Sequence, residues 1–401
     1  MNNARTDLTT GSIRAHLVRM TIPMIWGIAA IISFQLVDTY YVSLLGTQYL
    51  AAMSYTFPIT LFVFSIIMGF GIAMSSVLSR LIGEGKSEDV RRVTTHGLGL
   101  VCLTSLTLAF VGYTLRDHIF EWMGADADMR VLIHEYMTIW FFGVPFLALP
   151  FSGNSAIRAA GSATIPATIM VLSAVLNAAL APFFIFGWAG LPAMTLKGAA
   201  IATVFCQFLS AISVLYVLKF RLHMLLPSSD LRLPQFGDSC KRLAFIAVAA
   251  GLTSAIVPLV NSFVVSVLSP FGKEAVAAFG ISSRVEAFCF IILMAMAVGM
   301  GPVIGQNYGA GKFSRVRETL KNAIGFSVLW CLFISCVLVA LARPMANIFS
   351  NDPIVVYYTA MAFAAMAPAY LFSSLISGWS SAFNAMGKPQ ISLVSTFFRM
   401  I

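Results

Sequence analysis

The chain has 401 residues, 59% of them hydrophobic and only 10% charged, whereas soluble domains average roughly 45–50% apolar and about 25% charged, so a soluble globular protein is excluded. The formal net charge is +9, but Lys and Arg fall in short clusters between long apolar runs and not along one basic face, so nucleic acid is not the expected partner. The six cysteines, Cys102, Cys206, Cys240, Cys289, Cys331 and Cys336, include no CxxC pair, which removes the usual redox and zinc patterns.

A helix crosses the hydrocarbon core of a bilayer in about 20 apolar residues. The first 19 residues carry Arg5, Arg14 and Arg19, and the apolar run that follows, Met20–Leu45, is too long for a leader peptide and has no small-residue cleavage site, so it reads as the first spanning helix. Nine more complete runs follow: Ala51–Leu78, Val93–Leu115, Val131–Phe151, Ile165–Trp188, Ala199–Leu218, Leu243–Leu268, Ala275–Ile304, Ile324–Leu341 and Val355–Ile376. An eleventh begins near Ile391 and is still apolar at Ile401. None shows the two-residue alternation of membrane strands, and all are too long for them, which predicts an all-α polytopic membrane protein. Loops on the N-terminal side hold 18 Lys and Arg against 6 on the opposite side, placing the N-terminus in the cytoplasm.

The sequence repeats itself. Gly83-Glu84-Gly85-Lys86, with Val90-Arg91 after it, matches Gly309-Ala310-Gly311-Lys312, with Val316-Arg317 after it, at an offset of 226. Asp126 matches Asp352, and Ser155-Ala156 through Gly161 matches Ser381-Ala382 through Gly387, at the same offset. Near the start, Val37-Asp38 matches Val260-Asn261 at 223, and a three-residue insertion at Pro270–Gly272 restores the larger value. Such periodicity predicts two pseudo-symmetric six-helix lobes, and an even helix number makes the repeat parallel. The expected division is an N-terminal lobe over 1–219, a cytoplasmic linker over 220–242 and a C-terminal lobe over 243–401. Ile401 corresponds to Val175, so the second lobe is expected to be incomplete, lacking about 45 residues. Two-lobed bundles of this kind place a substrate site between the lobes and rock about it.

Acidic residues are scarce and mostly in loops. Asp38 is different: it lies 19 residues beyond Arg19, about 28 Å along the first helix. An ionised Asp at the centre of a membrane helix costs on the order of 2.5–3.5 kcal/mol, and withdrawal from water favours the protonated form of any carboxyl. Asp38 is therefore either a site that takes up and releases a cation or an interfacial acid satisfied by water, Tyr40 or Tyr41. Glu286, two residues from Arg284 and so not facing it, is a weaker candidate whose alternative is a place at the outer interface. Asn177, Thr203, Gln35, Gln207 and Asn261 are polar groups within helices, suited to helix–helix hydrogen bonds or to ligand contact. The spacing Gly301-x-x-x-Gly305-x-x-x-Gly309 predicts close helix packing. Enzymatic patterns fail: Gly85-Lys86-Ser87 lacks the earlier glycine of a phosphate loop, having Arg80, and neither an HExxH pair nor a Gly-x-Ser-x-Gly elbow occurs.

These residues resemble the multidrug and toxic compound extrusion (MATE) family, bacterial type. The likeness rests on Pro23 with Val37-Asp38-Thr39 and Gly46, Arg158 with Gly161, Gly198-Ala199-Ala200-Ile201-Ala202-Thr203, and Gln306-Asn307-Tyr308-Gly309-Ala310-Gly311. The resemblance implies a secondary antiporter of the bacterial inner membrane, without a cofactor or an obligate protein partner, exporting small amphiphilic or cationic compounds in exchange for H+ or Na+. It implies Asp38 as the coupling-cation residue, with support for cation or substrate from Asn177, Thr203, Tyr41, Gln35 and Asn261. Family members often carry an Asp before a proline in the fifth helix; here Ala181 precedes Pro182. The NorM branch of the family also uses acids in helices seven and ten, and the corresponding spans here contain none, so the resemblance implies a DinF-like arrangement and not a NorM-like one. A flippase of a lipid-linked carrier and a non-transporting membrane protein are the alternatives.

Overall fold

The computed structural model describes residues 6–190, 192–227, 232–350 and 352–400. Among them are twelve α-helices and no strand: α1 Ile13–Ser43, α2 Thr47–Gly83, α3 Ser87–Trp122, α4 Ala127–Ala159, α5 Thr164–Phe186, α6 Thr195–Tyr216, α7 Phe236–Leu268, α8 Lys273–Gly309, α9 Phe313–Ala340, α10 Ala342–Phe349, α11 Pro353–Ala385 and α12 Pro389–Met400. All except α10 and α12 are long and apolar enough to cross a membrane. The helices overrun the apolar stretches that announce them. α1 starts at Ile13 and not Met20, α7 starts at Phe236 inside the expected linker, and the short α10 has no counterpart among the predicted spans. Hydropathy marks only the part of a helix inside hydrocarbon, whereas the hydrogen-bond ladder continues through polar residues on either side. Residues 228–231 of the expected linker lie outside the described residues.

The repeat is visible in the backbone. Glycines 226 residues apart share positive φ: Gly46 and Gly272 at 120° and 102°, Gly85 and Gly311 at 73° and 70°, Gly161 and Gly387 at 87° and 79°. A side chain rarely tolerates these angles. Asp126 and Asp352 both cap helices, accepting from the backbone N–H of Met129 at 2.7 Å and of Ile354 at 2.8 Å.

The two halves of the chain meet along a seam of small residues near the N-terminal face. A Cβ on Gly83 would overlap the Gln306 carbonyl oxygen, and a Cβ on Gly309 would overlap that of Arg80. Each contact is the 226-residue image of the other, so α2 and α8 cross backbone to backbone. Gly305 faces Ser79, Gly69 faces Ala247 and Gly251 of α7, and the Ser76 hydroxyl donates to the Asn384 carbonyl. Of the expected glycine spacing, Gly305 and Gly309 are in tight contact, whereas Gly301 has open space beside it.

Residues 6–12 form a strap across this seam. Thr6 N–H donates to Ala160 O at 3.2 Å, and Leu8 N–H to Gln306 Oε1 at 3.0 Å. Gln306 Nε2 donates to Ala159 O at 2.8 Å, and Asn307 Nδ2 to Leu8 O at 3.0 Å. Lys312 and Arg315 hold Thr9 O and Gly11 O at 2.9 and 3.0 Å. Leu8 is completely buried. Partial burial pushes the Asp7 carboxyl up, but hydrogen bonds from Thr9 and Thr10 and the nearby Lys312 charge outweigh it, leaving it below its ordinary value. A lowered carboxylate stabilises the fold above its unfolded pKa and loses that contribution only as pH falls through the folded value, so Asp7 itself contributes no pH dependence to the strap near neutrality.

Gln306→Leu would strand both Leu8 N–H and Ala159 C=O. A buried unsatisfied group costs about 1–3 kcal/mol, so amide exchange over residues 7–11 is expected to accelerate about tenfold or more. Exchange at the wild-type rate would show that Gln306 does not hold the strap.

Candidate functional site

On the far side of the seam, away from the N-terminal face, α1, α2, α4, α5 and α6 enclose a cavity of about 910 Å³. α1 contributes Ile31, Gln35 and Asp38, whose spacing puts them on one helical face. α4 contributes a continuous stripe, Tyr136, Trp140, Val144, Leu147, Phe151, Asn154 and Arg158, at steps of three and four. α5 and α6 bring Asn177, Thr203 and Gln207 to the same space.

Asp38 is only 5% exposed, and its Oδ1 accepts no hydrogen bond from the protein. The Tyr136 ring lies within electrostatic reach of it. The neighbouring Thr39 hydroxyl is committed to Gln35 O within the helix at 2.8 Å. Asn177 is buried; its Nδ2 donates to the Thr203 hydroxyl at a long 3.4 Å, and its Oδ1 is unpartnered. Ala181 is fully buried. Among the described residues Asp38 is the one acid lining the cavity, and no cluster of three or more His, Cys, Asp or Glu exists. Two cations line it as well: Arg158 at the N-terminal end and Arg284 of α8.

The structure thus brings together Asp38, Asn177, Thr203 and Gln35 of the residues singled out in the sequence. Tyr41 is not among the cavity-lining residues: its hydroxyl donates to Ala178 O at 3.2 Å, while Tyr40 lines the cavity. Asn261 is exposed on α7, and Glu286 is half-buried on α8 within reach of Tyr370 and Cys289, both away from the cavity. Sequence reasoning counted Arg158 among the loop charges of the N-terminal side and as part of the family likeness but not as a site residue, read Arg284 as interfacial, and passed over Tyr136, Trp140 and Asn154. The helical spacing of the α4 stripe, ending in two polar residues, carried the missing information.

Comparison with known proteins agrees with this architecture. The MatE family model matches the chain twice, over residues 23–183 and 249–401, the starts lying 226 residues apart. A protein of Shewanella oneidensis named FAD transporter is 34% identical over 397 residues, 99% of this chain and 88% of its own length. A probable multidrug resistance protein of Bacillus subtilis, YpnP, is 29% identical, with 77% of this chain and 68% of the relative aligned. The crystal structure of the Vibrio cholerae MATE transporter VcmN in the bent form superposes with a TM-score of 0.92 at 28% identity, covering 98% of this chain and 89% of that one. The chain belongs to the MatE family and is a multi-pass membrane transporter of the compound-efflux type, not an enzyme.

Proposed function

We propose that the protein is a proton-coupled antiporter that exports organic solutes by alternating access, with its N-terminal face in the cytoplasm and Asp38 as the coupling residue. The carrying observation is the Asp38 carboxyl, enclosed in the cavity with an unpartnered oxygen. A bare carboxylate there is costly, so the stable closed forms are those with a proton or cation on it. Asn177 and Thr203 supply neutral oxygens near by, but no second carboxylate completes a metal site, which favours the proton over sodium. The cavity lies within the N-terminal lobe, 1–219, with Arg284 of the C-terminal lobe, 243–401, on its wall and not midway between the lobes as the sequence suggested; rocking of the two lobes opens and closes it, and the strapped seam holds the cytoplasmic side closed. Coupling requires that proton and solute bind the two facing states with different free energies.

The solute is a small amphiphilic aromatic compound. Two arginines against one acid on the cavity wall, together with the 34% identity to a protein named FAD transporter, favour an anionic solute such as a flavin dinucleotide over a cationic drug.

Right-side-out vesicles containing the full chain and loaded with FAD or ethidium test this reading. Lowering the external pH should accelerate efflux of at least one probe about tenfold, and an inward sodium gradient at constant pH should not. Efflux indifferent to the proton gradient would overturn the proposal, as would drive by sodium alone.

A further inference from the structure

Arg158 is a cation without a counter-ion. Among the described residues no carboxylate lies within ion-pair distance of it, and its hydrogen bond within the protein runs from Nη2 to the Ser155 hydroxyl at 2.6 Å. A guanidinium carries five N–H donors in a planar fork, so most of them are left for whatever enters the cavity. Asn154, four residues earlier and on the same face of α4, is buried with its Oδ1 unpartnered. One further turn along, Phe151 meets Phe64 edge to face, ring centres 5.4 Å apart, both on the cavity wall. The N-terminal end of the cavity is thus a cationic fork, an amide and an aromatic wall in succession. Tyr136 and Arg158 are 22 residues apart on α4, about 30 Å, and a volume of about 910 Å³ spread over that depth is a slot for one planar ring system and its tail.

We propose that the transported solute is an elongated aromatic molecule bearing phosphate, whose anionic group binds Arg158 and whose ring lies against Phe64 and Phe151. This rests on the reading of the cavity as the transport site. A planar guanidinium grips a phosphate through two parallel hydrogen bonds, and an aromatic wall offers a ring both edge and face contacts. A cationic ring at the same place meets an uncompensated positive charge. Asp38 lies within electrostatic reach of Tyr136, at the end of the slot opposite Arg158. Proton and anion therefore do not compete for one spot, and they are linked through which way the lobes face.

Riboflavin, FMN and FAD share one ring system and carry no, one and two phosphates, so calorimetric titration of the purified full chain with the three tests the assignment. FAD should bind at least about 30-fold tighter than riboflavin, with FMN between. Arg158→Gln should bring FAD to within about threefold of riboflavin while riboflavin binding is unchanged, and Arg158→Lys, which keeps the charge but not the fork, should fall between. Equal binding of FAD and riboflavin to the native protein, ethidium binding tighter than FAD, or an undiminished FAD preference in Arg158→Gln would each overturn the proposal. Should Arg158→Gln lose riboflavin binding, Arg158→Lys decides: a wild-type FAD preference overturns the proposal, a reduced one supports it. Proton-driven ethidium efflux, if it survives without phosphate discrimination, rejects this inference and leaves the antiporter reading standing; absence of any gradient response rejects the latter.

Discussion

Gly309→Leu is expected to abolish transport by keeping the inner ends of α2 and α8 apart. The atom a side chain would strike is the carbonyl oxygen of Arg80, part of a helical backbone that cannot rotate aside. Overpacking of a tight contact costs about 1–3 kcal/mol when side chains can adjust, and more is expected here because both surfaces are main chain. The cost falls only on the conformation in which the seam is shut, so the population moves towards any state in which it is open. Transport should drop at least tenfold, and amide exchange over residues 80–86 and 306–312 should accelerate together, since Gly83 and Gly309 close the same crossing. Gly301→Leu is the matched control on the same helix: that glycine has nothing within 4 Å of its would-be Cβ, and transport should stay within about twofold of wild type. Equal tolerance at both positions would mean that the crossing is not part of the working cycle.

Asp38→Asn carries the second large effect. Asparagine keeps the size and a hydrogen-bonding group but cannot exchange a proton. Gradient-driven efflux should therefore fall about 100-fold, to the level of vesicles without protein, whereas solute binding at fixed pH should change less than about threefold, because the solute contacts lie elsewhere on the wall. Uptake or loss of a proton at Asp38 is the proposed source of pH dependence in solute binding, so the wild-type dependence should flatten in the variant. A variant that still responds to an imposed proton gradient would remove Asp38 from the coupling step.

Much of this molecule was legible in its sequence because the bilayer restricts the answers. Long apolar runs admit only helices, and the recurrence of Gly83 and Gly309, or Asp126 and Asp352, at one offset reports a duplicated architecture whose turns do need the same backbone angles. Asp38 stood out because an acid amid apolar residues is costly. The strap was not legible: Thr6 to Ser12 is a short polar stretch with no periodicity, and its partners Gln306 and Asn307 are distant in sequence. Arg158 was hidden for a different reason. A charge near the end of an apolar run looks like a loop residue, and only the pitch of α4 turns it inward beneath Asn154 and Phe151. Tyr41 misled because adjacent residues on a helix point about 100° apart, and it is Tyr40 that lines the cavity.

The strap also sets an order of assembly. Leu8 waits for Gln306, 298 positions later, and at about 5–20 residues per second of synthesis the delay is roughly 15 to 60 seconds. Through that interval the earliest-made part of the described chain has, of its strap partners, at most Ala160, which bonds Thr6, since Gln306, Asn307, Lys312 and Arg315 are still to come. It is sheltered only once the second half has inserted, so resistance of Thr6–Ser12 to proteolysis marks a finished molecule and its loss marks an unfinished one.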